Sequence, residues 1–263
     1  MYQFTDTTEA PNNSGHSLMT VLNGIVLDEE LSDNVGEFRT INVDGRGIVD
    51  RRILTYERRY GNAETIIGLD ERLVRVTFQI RDETNEGFRQ RYNRLNAFLV
   101  ESRQILEFTD EEAIFYATVE SYDDPEENSN NIIGVITFVC NDPFKYSHEK
   151  SLGATGTHNI KGHKSTFWKS HTTFTSSASK YILEFNTVGT KELRSINRLE
   201  INFNFVAGDI LEIDFLKRQI KVNGNDISNT LSIINSNYME LPIGDVEFSA
   251  TEDTEIEYRE RYY

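Results

Sequence analysis

The sequence contains a single cysteine, Cys140, among its 263 residues. A disulfide framework is therefore excluded, and so is a zinc site built from the thiolates of one chain. We expect Cys140 to be a small apolar side chain on a core strand. Only 4 prolines and 1 tryptophan are present, whereas 16 phenylalanines and 12 tyrosines are typical of a β-rich globular protein rather than of a disordered chain.

Long apolar runs are also missing. No run approaches the roughly 18 residues that a membrane helix requires, and residues 1–23 lack the apolar segment of a signal peptide. We therefore expect no membrane insertion and a protein that is made in the cytoplasm. Residues 1–15 are polar and are expected to form a mobile lead-in. A length of 263 residues suits two domains of ordinary size.

Basic residues are few, since 27 Lys and Arg against 43 Asp and Glu give a net charge of −16. This balance argues against a nucleic-acid-binding surface, which depends on the neutralisation of phosphates. The charge is uneven, because residues 107–127 hold nine carboxylates and no basic residue. Residues 45–59 hold five arginines, namely Arg46, Arg51, Arg52, Arg58 and Arg59. Two solvated faces would explain this pattern, and so would complementary surfaces that meet between subunits.

Catalytic and cofactor-binding motifs are missing as well. The sequence has no Gly-x-Ser-x-Gly elbow, and its histidines lack the spacing of a metal motif. Residues 156–165 resemble a phosphate-binding loop only superficially, because five residues separate the two glycines and His163 precedes Lys164. Carboxylate pairs are too numerous to identify a glycosidase. We predict that the chain is not an enzyme and has no cofactor or metal.

The most apolar stretch is residues 132–140, which has apolar side chains at both odd and even positions. This pattern predicts a strand buried on both faces. Asn141, Asp142 and Pro143 then end the strand, and the composition changes after Tyr146. We therefore interpret residues 141–143 as a domain hinge, with a first domain over residues 1–146 and a second over residues 147–263.

The first domain is predicted to be α+β with an antiparallel sheet. Asn23-Gly24 marks a hairpin within residues 17–27, and residues 38–43, 49–56, 73–80, 105–108 and 114–122 are expected to be further strands. The one convincing helix covers about residues 83–103. Its apolar residues, Phe88, Tyr92, Leu95 and Leu99, recur at the spacing of one helix face.

The second domain is predicted to be a β-sandwich. Residues 147–180 are rich in Ser, Thr, His and Lys and carry no clear pattern, but short apolar segments follow over residues 181–186, 198–205, 210–215, 219–222, 238–241, 245–250 and 254–262. Asn223-Gly224 is a second hairpin signal. Phe167 and Trp168 could stack on a sugar ring or anchor a protein partner if they are exposed.

The order of several segments resembles the distal tail protein family of siphovirus-type bacteriophages, which have long non-contractile tails. The first domain contributes Asp44-Gly45-Arg46-Gly47 with Arg51-Arg52, Tyr60-Gly61-Asn62, the strand at residues 72–80 before the helix, and residues 138–146. The second contributes Val222-Asn223-Gly224, Glu240-Leu241-Pro242-Ile243-Gly244 and Tyr258-Arg259-Glu260-Arg261-Tyr262. Each segment is short, and the likeness rests on their common order.

This resemblance implies a ring-forming N-terminal β domain with one helix and a galectin-like C-terminal β-sandwich that attaches peripheral proteins. It implies a homo-hexamer, as one ring or two stacked rings, at the tail tip of the virion, assembled in the cytoplasm of the bacterial host. Such a baseplate hub joins the tail tube protein to the tail-tip, or tail-associated, protein and holds receptor-binding proteins for host attachment. Phage DNA only passes through its lumen.

Two finer expectations follow. The arginines at positions 46, 51, 52, 58 and 59 would meet carboxylates of the neighbouring subunit. An alternative function is a carbohydrate-binding module that aids adhesion to the host surface, and it depends on Phe167 and Trp168.

Overall fold

The computed structural model describes residues 18–123, 129–188 and 197–263, and only the backbone of Ile66 and Ile67. The expected lead-in at residues 1–15 lies outside this part of the chain. The chain divides into two compact units, which are Met1–Lys145 together with Tyr263, and Tyr146–Tyr262. They are called the N-terminal and C-terminal units below, and each is described by itself.

The N-terminal unit contains nine described strands and two helices. The strands are β1 (Thr20–Leu22), β2 (Ile25–Val26), β3 (Gly36–Asp44), β4 (Arg51–Glu57), β5 (Asn62–Leu69), β6 (Arg72–Asp82), β7 (Gln104–Phe108), β8 (Glu111–Asp123) and β9 (Asn131–Cys140). The helices are α1 (Leu27–Glu30), which the sequence did not predict, and α2 (Asn85–Leu99). Seven strands form an antiparallel sheet in the order β2-β1-β7-β8-β9-β6-β3, while β4 and β5 pair only with each other.

Helix α2 covers one face of the main sheet. Phe88 and Leu95 are buried and Tyr92 and Leu99 are half-buried against the same core, as the spacing predicts. The helix begins at Asn85 rather than at residue 83, because Thr84 caps it by accepting a hydrogen bond of 3.0 Å from the Gly87 N–H. It also ends at Leu99, four residues before the predicted end.

Strand β9 lies between β6 and β8, but it is buried on one face only. Its even-numbered residues from Ile132 to Cys140 face the core, whereas Ile133 is 59% exposed. The prediction that both faces are buried is therefore wrong. The physical reason is that α2 packs on one side of the sheet, and no described helix of this unit packs on the other.

The C-terminal unit is a sandwich of two antiparallel sheets. Its strands are β11 (Lys150–Gly153), β12 (Gly156–Ile160), β13 (Trp168–Thr173), β14 (Tyr181–Thr187), β15 (Asn197–Ile201), β16 (Ile210–Asp214), β17 (Gln219–Val222), β18 (Asn225–Asp226), β19 (Gly244–Ala250), β20 (Thr254–Tyr258) and β21 (Arg261–Tyr262). A 3-10 turn occupies Ser228–Thr230, and the short β10 (Lys145–Tyr146) spans the boundary between the units. The sheets are ordered β11-β20-β13-β16-β17-β18 and β12-β19-β14-β15.

Both sheets contribute to one core, which includes Trp168, Leu183, Phe185, Ile213 and Ile256. A buried hydroxyl cluster also joins them. The Tyr181 hydroxyl on β14 lies 2.7 Å from the Thr254 hydroxyl on β20, which lies 2.8 Å from that of Thr172 on β13. Burial raises the pKa of Tyr181 to about 12, so it remains a neutral hydrogen-bonding group.

Both hairpins predicted from Asn-Gly pairs are confirmed. Asn23 and Gly24 have φ values of 51° and 80°, and Asn223 and Gly224 have 50° and 81°, which are the positive values of a type I′ turn. Residues 238–241 are not a strand, since Leu241 forms only an isolated bridge with Thr166. Residues 147–180 supply three strands, β11 to β13, in which polar residues alternate with few large apolar ones.

Candidate assembly surfaces

The hairpin formed by β4 and β5, residues 51–69, is called the arm. Every residue of β4 is exposed, including the apolar side chains of Ile53, Leu54 and Tyr56. A two-stranded hairpin alone is only marginally stable in water. The arm therefore offers apolar surface that nothing in the described part of the chain covers, which is typical of a protein-binding element.

The arginines of the arm are mostly available for a partner. Arg58 donates to the Tyr56 hydroxyl at 2.6 Å, and the Arg59 guanidinium lies 5.6 Å from the centre of the Tyr60 ring. Arg52 forms an exposed ion pair with Asp70 at 2.7 Å. Within the described residues, Arg51, Arg58 and Arg59 have no carboxylate within ion-pair distance.

Arg46 differs from the other four arginines because its guanidinium is bonded within its own unit. It binds Asp110 through two hydrogen bonds of 2.6 and 3.0 Å and lies 4.9 Å from the centre of the Phe108 ring. Lys145 forms a second buried ion pair, with Glu111. The expectation that Arg46 meets a neighbouring subunit is therefore wrong, and part of the acidic segment is neutralised internally.

A buried arginine that the sequence analysis missed fixes the base of the arm. Arg72 donates hydrogen bonds to the carbonyl oxygens of Gly45, Arg46 and Gly47 at 3.1, 2.9 and 3.3 Å. Its Nε donates to the Pro143 carbonyl at 2.9 Å. Gly45 has a φ of +86°, and a Cβ there would lie 1.8 Å from the Leu73 carbonyl oxygen. The two closely spaced glycines were the available signal for this backbone approach.

The predicted hinge residues follow β9 within the N-terminal unit. Asp142 accepts a hydrogen bond of 3.3 Å from the Phe144 N–H, and the Pro143 carbonyl is held by Arg72. The division between the units falls between Lys145 and Tyr146. The hinge role of Asn141, Asp142 and Pro143 stays a prediction.

The aromatic pair Phe167 and Trp168 lies in the core of the C-terminal unit. Trp168 is 2% exposed, and its indole N–H donates to the Met239 carbonyl at 3.0 Å. Phe167 is half-buried between the Phe215 ring, 5.9 Å away, and the Arg261 guanidinium, 4.8 Å away. The expected stacking of Trp168 on a sugar or partner is therefore wrong, since no ring face is free, and Phe167 shares the same packing role.

Known chemistry of catalytic or membrane sites adds nothing in the described residues. They contain no cluster of three or more His, Cys, Asp or Glu residues that could hold a metal ion. Across the same residues, no helix is both long and apolar enough to span a membrane. Burial raises the pKa of Cys140 to about 12, which makes its thiol unreactive at neutral pH.

Sequence comparison places the chain among phage tail proteins. Residues 161–262 match the family described as the siphovirus-type tail component, C-terminal domain. The chain is also 27% identical to the distal tail protein of Bacillus phage SPP1 over 190 residues, which are 69% of this chain and 72% of that protein. The chain belongs to the distal tail protein family of siphovirus-type phages.

Solved structures extend the likeness of this distal tail protein to both units. The crystal structure of SPP1 Dit, described as a paradigm of the hub adsorption apparatus in phages that infect Gram-positive bacteria, matches with a TM-score of 0.77 and 20% identity over 94% of this chain and 99% of that one. A chain of the phage P2 baseplate in its activated conformation with Ca matches with a TM-score of 0.55 and 8% identity, over 85% and 90% of the two chains. At these identities the structures show the fold.

Family membership makes this distal tail protein a structural component of the phage tail. The mostly β architecture with several antiparallel sheets is the fold predicted from the sequence. The surfaces described above are therefore considered as assembly surfaces rather than as reaction sites.

Proposed function

We propose that this distal tail protein forms a homo-hexameric ring at the tail tip, in one ring or two stacked rings. The ring acts as a hub that joins the tail tube protein to the tail-tip protein and holds receptor-binding proteins. The single observation that carries the proposal is the arm, an exposed hairpin with apolar and basic side chains that lack a partner within the described residues. The number of copies comes from the family resemblance.

The arm of one subunit packs against the next subunit in this proposal. Ile53, Leu54 and Tyr56 are each about half exposed, and burying each of them on a neighbour would contribute about 1 kcal/mol. Each subunit thus gains about 3 kcal/mol from these three side chains alone, and a closed ring has this contact six times. Such repetition suits a heterologous interface that closes by rotation.

Charge supports the same arrangement. A hexamer has a formal charge of 6 × −16 = −96, so its subunits repel one another unless opposite charges meet at the interface. Arg51, Arg58 and Arg59 on the arm have no carboxylate partner among the described residues, and Glu112 and Glu120 on β8 are exposed. We infer that the arm meets this acidic strand of a neighbour.

The net charge also bears on the lumen. An acidic channel would repel the DNA that passes through it and would limit adhesion of DNA to the wall. The DNA is therefore not a bound partner in this proposal, and a basic lumen in a ring structure would contradict it.

The arm is tested by charge reversal. Arg51→Glu plus Arg59→Glu should shift the mass measured by light scattering at physiological salt from 6 × 30.3 kDa = 182 kDa toward the 30.3 kDa monomer. A matched control is Lys169→Glu plus Lys180→Glu, which makes the same charge change at exposed positions of the C-terminal unit. Equal behaviour of the two variants would show that net charge, and not the arm, controls assembly.

The roles of the two domains are the second part of the proposal. Residues 1–146 form the ring and residues 147–263 carry the peripheral proteins, with residues 141–143 as the joint. A flexible Gly-Ser insertion after Asp142 should leave the hexamer intact while weakening whatever the second domain holds. Loss of the ring in this variant would show that the two domains are not separable.

A further inference from the structure

A cleft in the C-terminal unit has no role in the proposed ring. It has a volume of about 520 Å³ and lies where the end of β14 and the start of β15 face the turn after β16 and the segment before β19. Its lining includes Asn197, Phe215, Arg218, Tyr238, Met239 and Glu240. The volume falls within the range of about 300–1,000 Å³ that is usual for small-molecule sites.

Asn197 contributes a buried polar atom without a partner. The residue is 4% exposed, and within the described part of the chain its Oδ1 accepts no hydrogen bond. Burying an amide oxygen without a donor costs about 1–3 kcal/mol, and such atoms are rare in folded proteins. Because this atom borders a cleft, a ligand hydroxyl that donates to it would satisfy it.

The remaining polar groups of the cleft are held in place around Asn197. The Glu240 carboxylate accepts a hydrogen bond from the Ser165 hydroxyl and lies 3.9 Å from the Arg261 guanidinium. On another wall, the Arg218 guanidinium lies 5.7 Å from the centre of the Tyr238 ring. Arg218 has no carboxylate within ion-pair distance among the described residues. The cleft therefore offers two fixed acceptors and one cationic donor.

Aromatic packing makes the wall beside these groups rigid. The Tyr238 ring stacks on Phe215 at 5.1 Å and on Trp168 at 6.3 Å. The Tyr238 hydroxyl donates to the Asp214 carbonyl at 3.3 Å. Burial raises its pKa to about 12, so Tyr238 remains neutral. With Met239 alongside, the wall provides an apolar surface that does not need to reorganise when a ligand binds.

We propose that this cleft binds a neutral oligosaccharide through its free hydroxyl groups. A hydroxyl both donates and accepts, so one sugar ring can donate to Asn197 Oδ1 and to Glu240 while it accepts from Arg218. Glu240 disfavours an anionic ligand and Arg218 disfavours a cationic one, which leaves a neutral, hydroxyl-rich ligand. A peptide fits less well, because its backbone N–H groups can donate to the acceptors but its surface offers few paired donor and acceptor groups.

The test measures binding of the full-length protein to an array of neutral gluco-, galacto- and N-acetylglucosamine oligosaccharides. Asn197→Leu and Arg218→Ala should each weaken the bound oligosaccharide by about tenfold or more, the equivalent of at least one lost hydrogen bond. Lys217→Ala is the matched control, because Lys217 adjoins Arg218 and pairs with Asp214 but does not line the cleft.

Thermal unfolding separates a ligand-binding role of Asn197 from a structural one. Because its Oδ1 has no partner, Asn197→Leu should keep or raise the melting temperature of the C-terminal unit. A lower melting temperature, binding that survives both variants, or failure of every oligosaccharide on the array to bind would each overturn the proposal. The ring mass of the same variants, measured by light scattering, should equal that of the wild type, so failure of the ring proposal would be recognised separately.

Discussion

Removal of the Arg72 guanidinium should destabilise the N-terminal unit and release the base of the arm. The side chain is buried and binds four carbonyl oxygens, three from residues 45–47 and one from Pro143. Arg72→Met is the informative substitution. It retains an unbranched side chain of similar length, so the main loss is the set of charged hydrogen bonds rather than packing volume.

The expected magnitude follows from those bonds. Hydrogen bonds that involve a charged group each contribute about 1.5–3 kcal/mol, and the two shortest, at 2.9 Å, set the scale. Hydration of the exposed carbonyls of Gly45 and Gly47 offsets part of the loss. We therefore expect the free energy of unfolding of this unit to fall by about 3–5 kcal/mol, or the melting temperature to fall by roughly 10 °C.

The sequence provides a separate reporter for each unit. Trp168, the only tryptophan, is buried in the C-terminal unit, and Cys140, the only cysteine, is buried in the N-terminal unit. Urea unfolding followed by tryptophan fluorescence therefore reports the C-terminal unit, and thiol labelling along the same gradient reports the other. Arg72→Met should lower the labelling midpoint and leave the fluorescence midpoint unchanged.

The matched control is Arg75→Met on the same strand, where the side chain is exposed. This variant should change the labelling midpoint by less than about 0.5 kcal/mol in equivalent free energy. If Arg72→Met were no more destabilising than Arg75→Met, the four hydrogen bonds would have no net value and the reasoning would be refuted. An equal shift of both midpoints would show instead that the units do not unfold independently.

Three further outcomes are expected. Hydrogen bonds from backbone N–H groups hold the pKa of Asp33 at about 2 against 3.8 for the unfolded chain, so its contribution is present above pH 4 and is lost as the pH falls toward 2; the melting temperature of Asp33→Asn should therefore fall less over that range. Gly36→Ala places a Cβ 2.4 Å from a carboxylate oxygen and 2.7 Å from a backbone carbonyl oxygen and should cost about 1–3 kcal/mol in urea unfolding, whereas Gly47→Ala, with nothing within 4 Å, should be neutral. Tyr181→Phe removes the hydroxyl bonded to Thr254 and should cost about 1–2 kcal/mol in the fluorescence transition only.

Local patterns predicted much of the fold. The helix face of Phe88 and Leu95 and the type I′ turns at Asn23-Gly24 and Asn223-Gly224 follow from chemistry within a few residues, and the structure confirms them. Strands β11 to β13 escaped prediction because polar residues on their exposed face are not balanced by large apolar residues on the other. The exposure of Ile133 also escaped, since it depends on which sheet face the helix covers.

The candidate surfaces were harder to predict because they depend on contacts that are distant in sequence. Arg46 and Arg51 are only five residues apart and look equivalent, yet Asp110 neutralises one while the other remains exposed. Trp168 appeared suited to ligand contact, but Met239, 71 residues further on, accepts its indole hydrogen bond. Asn197 attracted no attention in the sequence, and only the cleft shows that its amide oxygen is both buried and unpaired.

The ring is tested most directly by negative-stain electron microscopy of the purified protein, with mass from light scattering on the same sample. The account predicts six-fold rings, single or stacked in pairs, that disappear in Arg51→Glu plus Arg59→Glu and persist in Lys169→Glu plus Lys180→Glu. Monomers at concentrations where the fold is intact, or rings that are unaffected by reversing the charge of the arm, would contradict it.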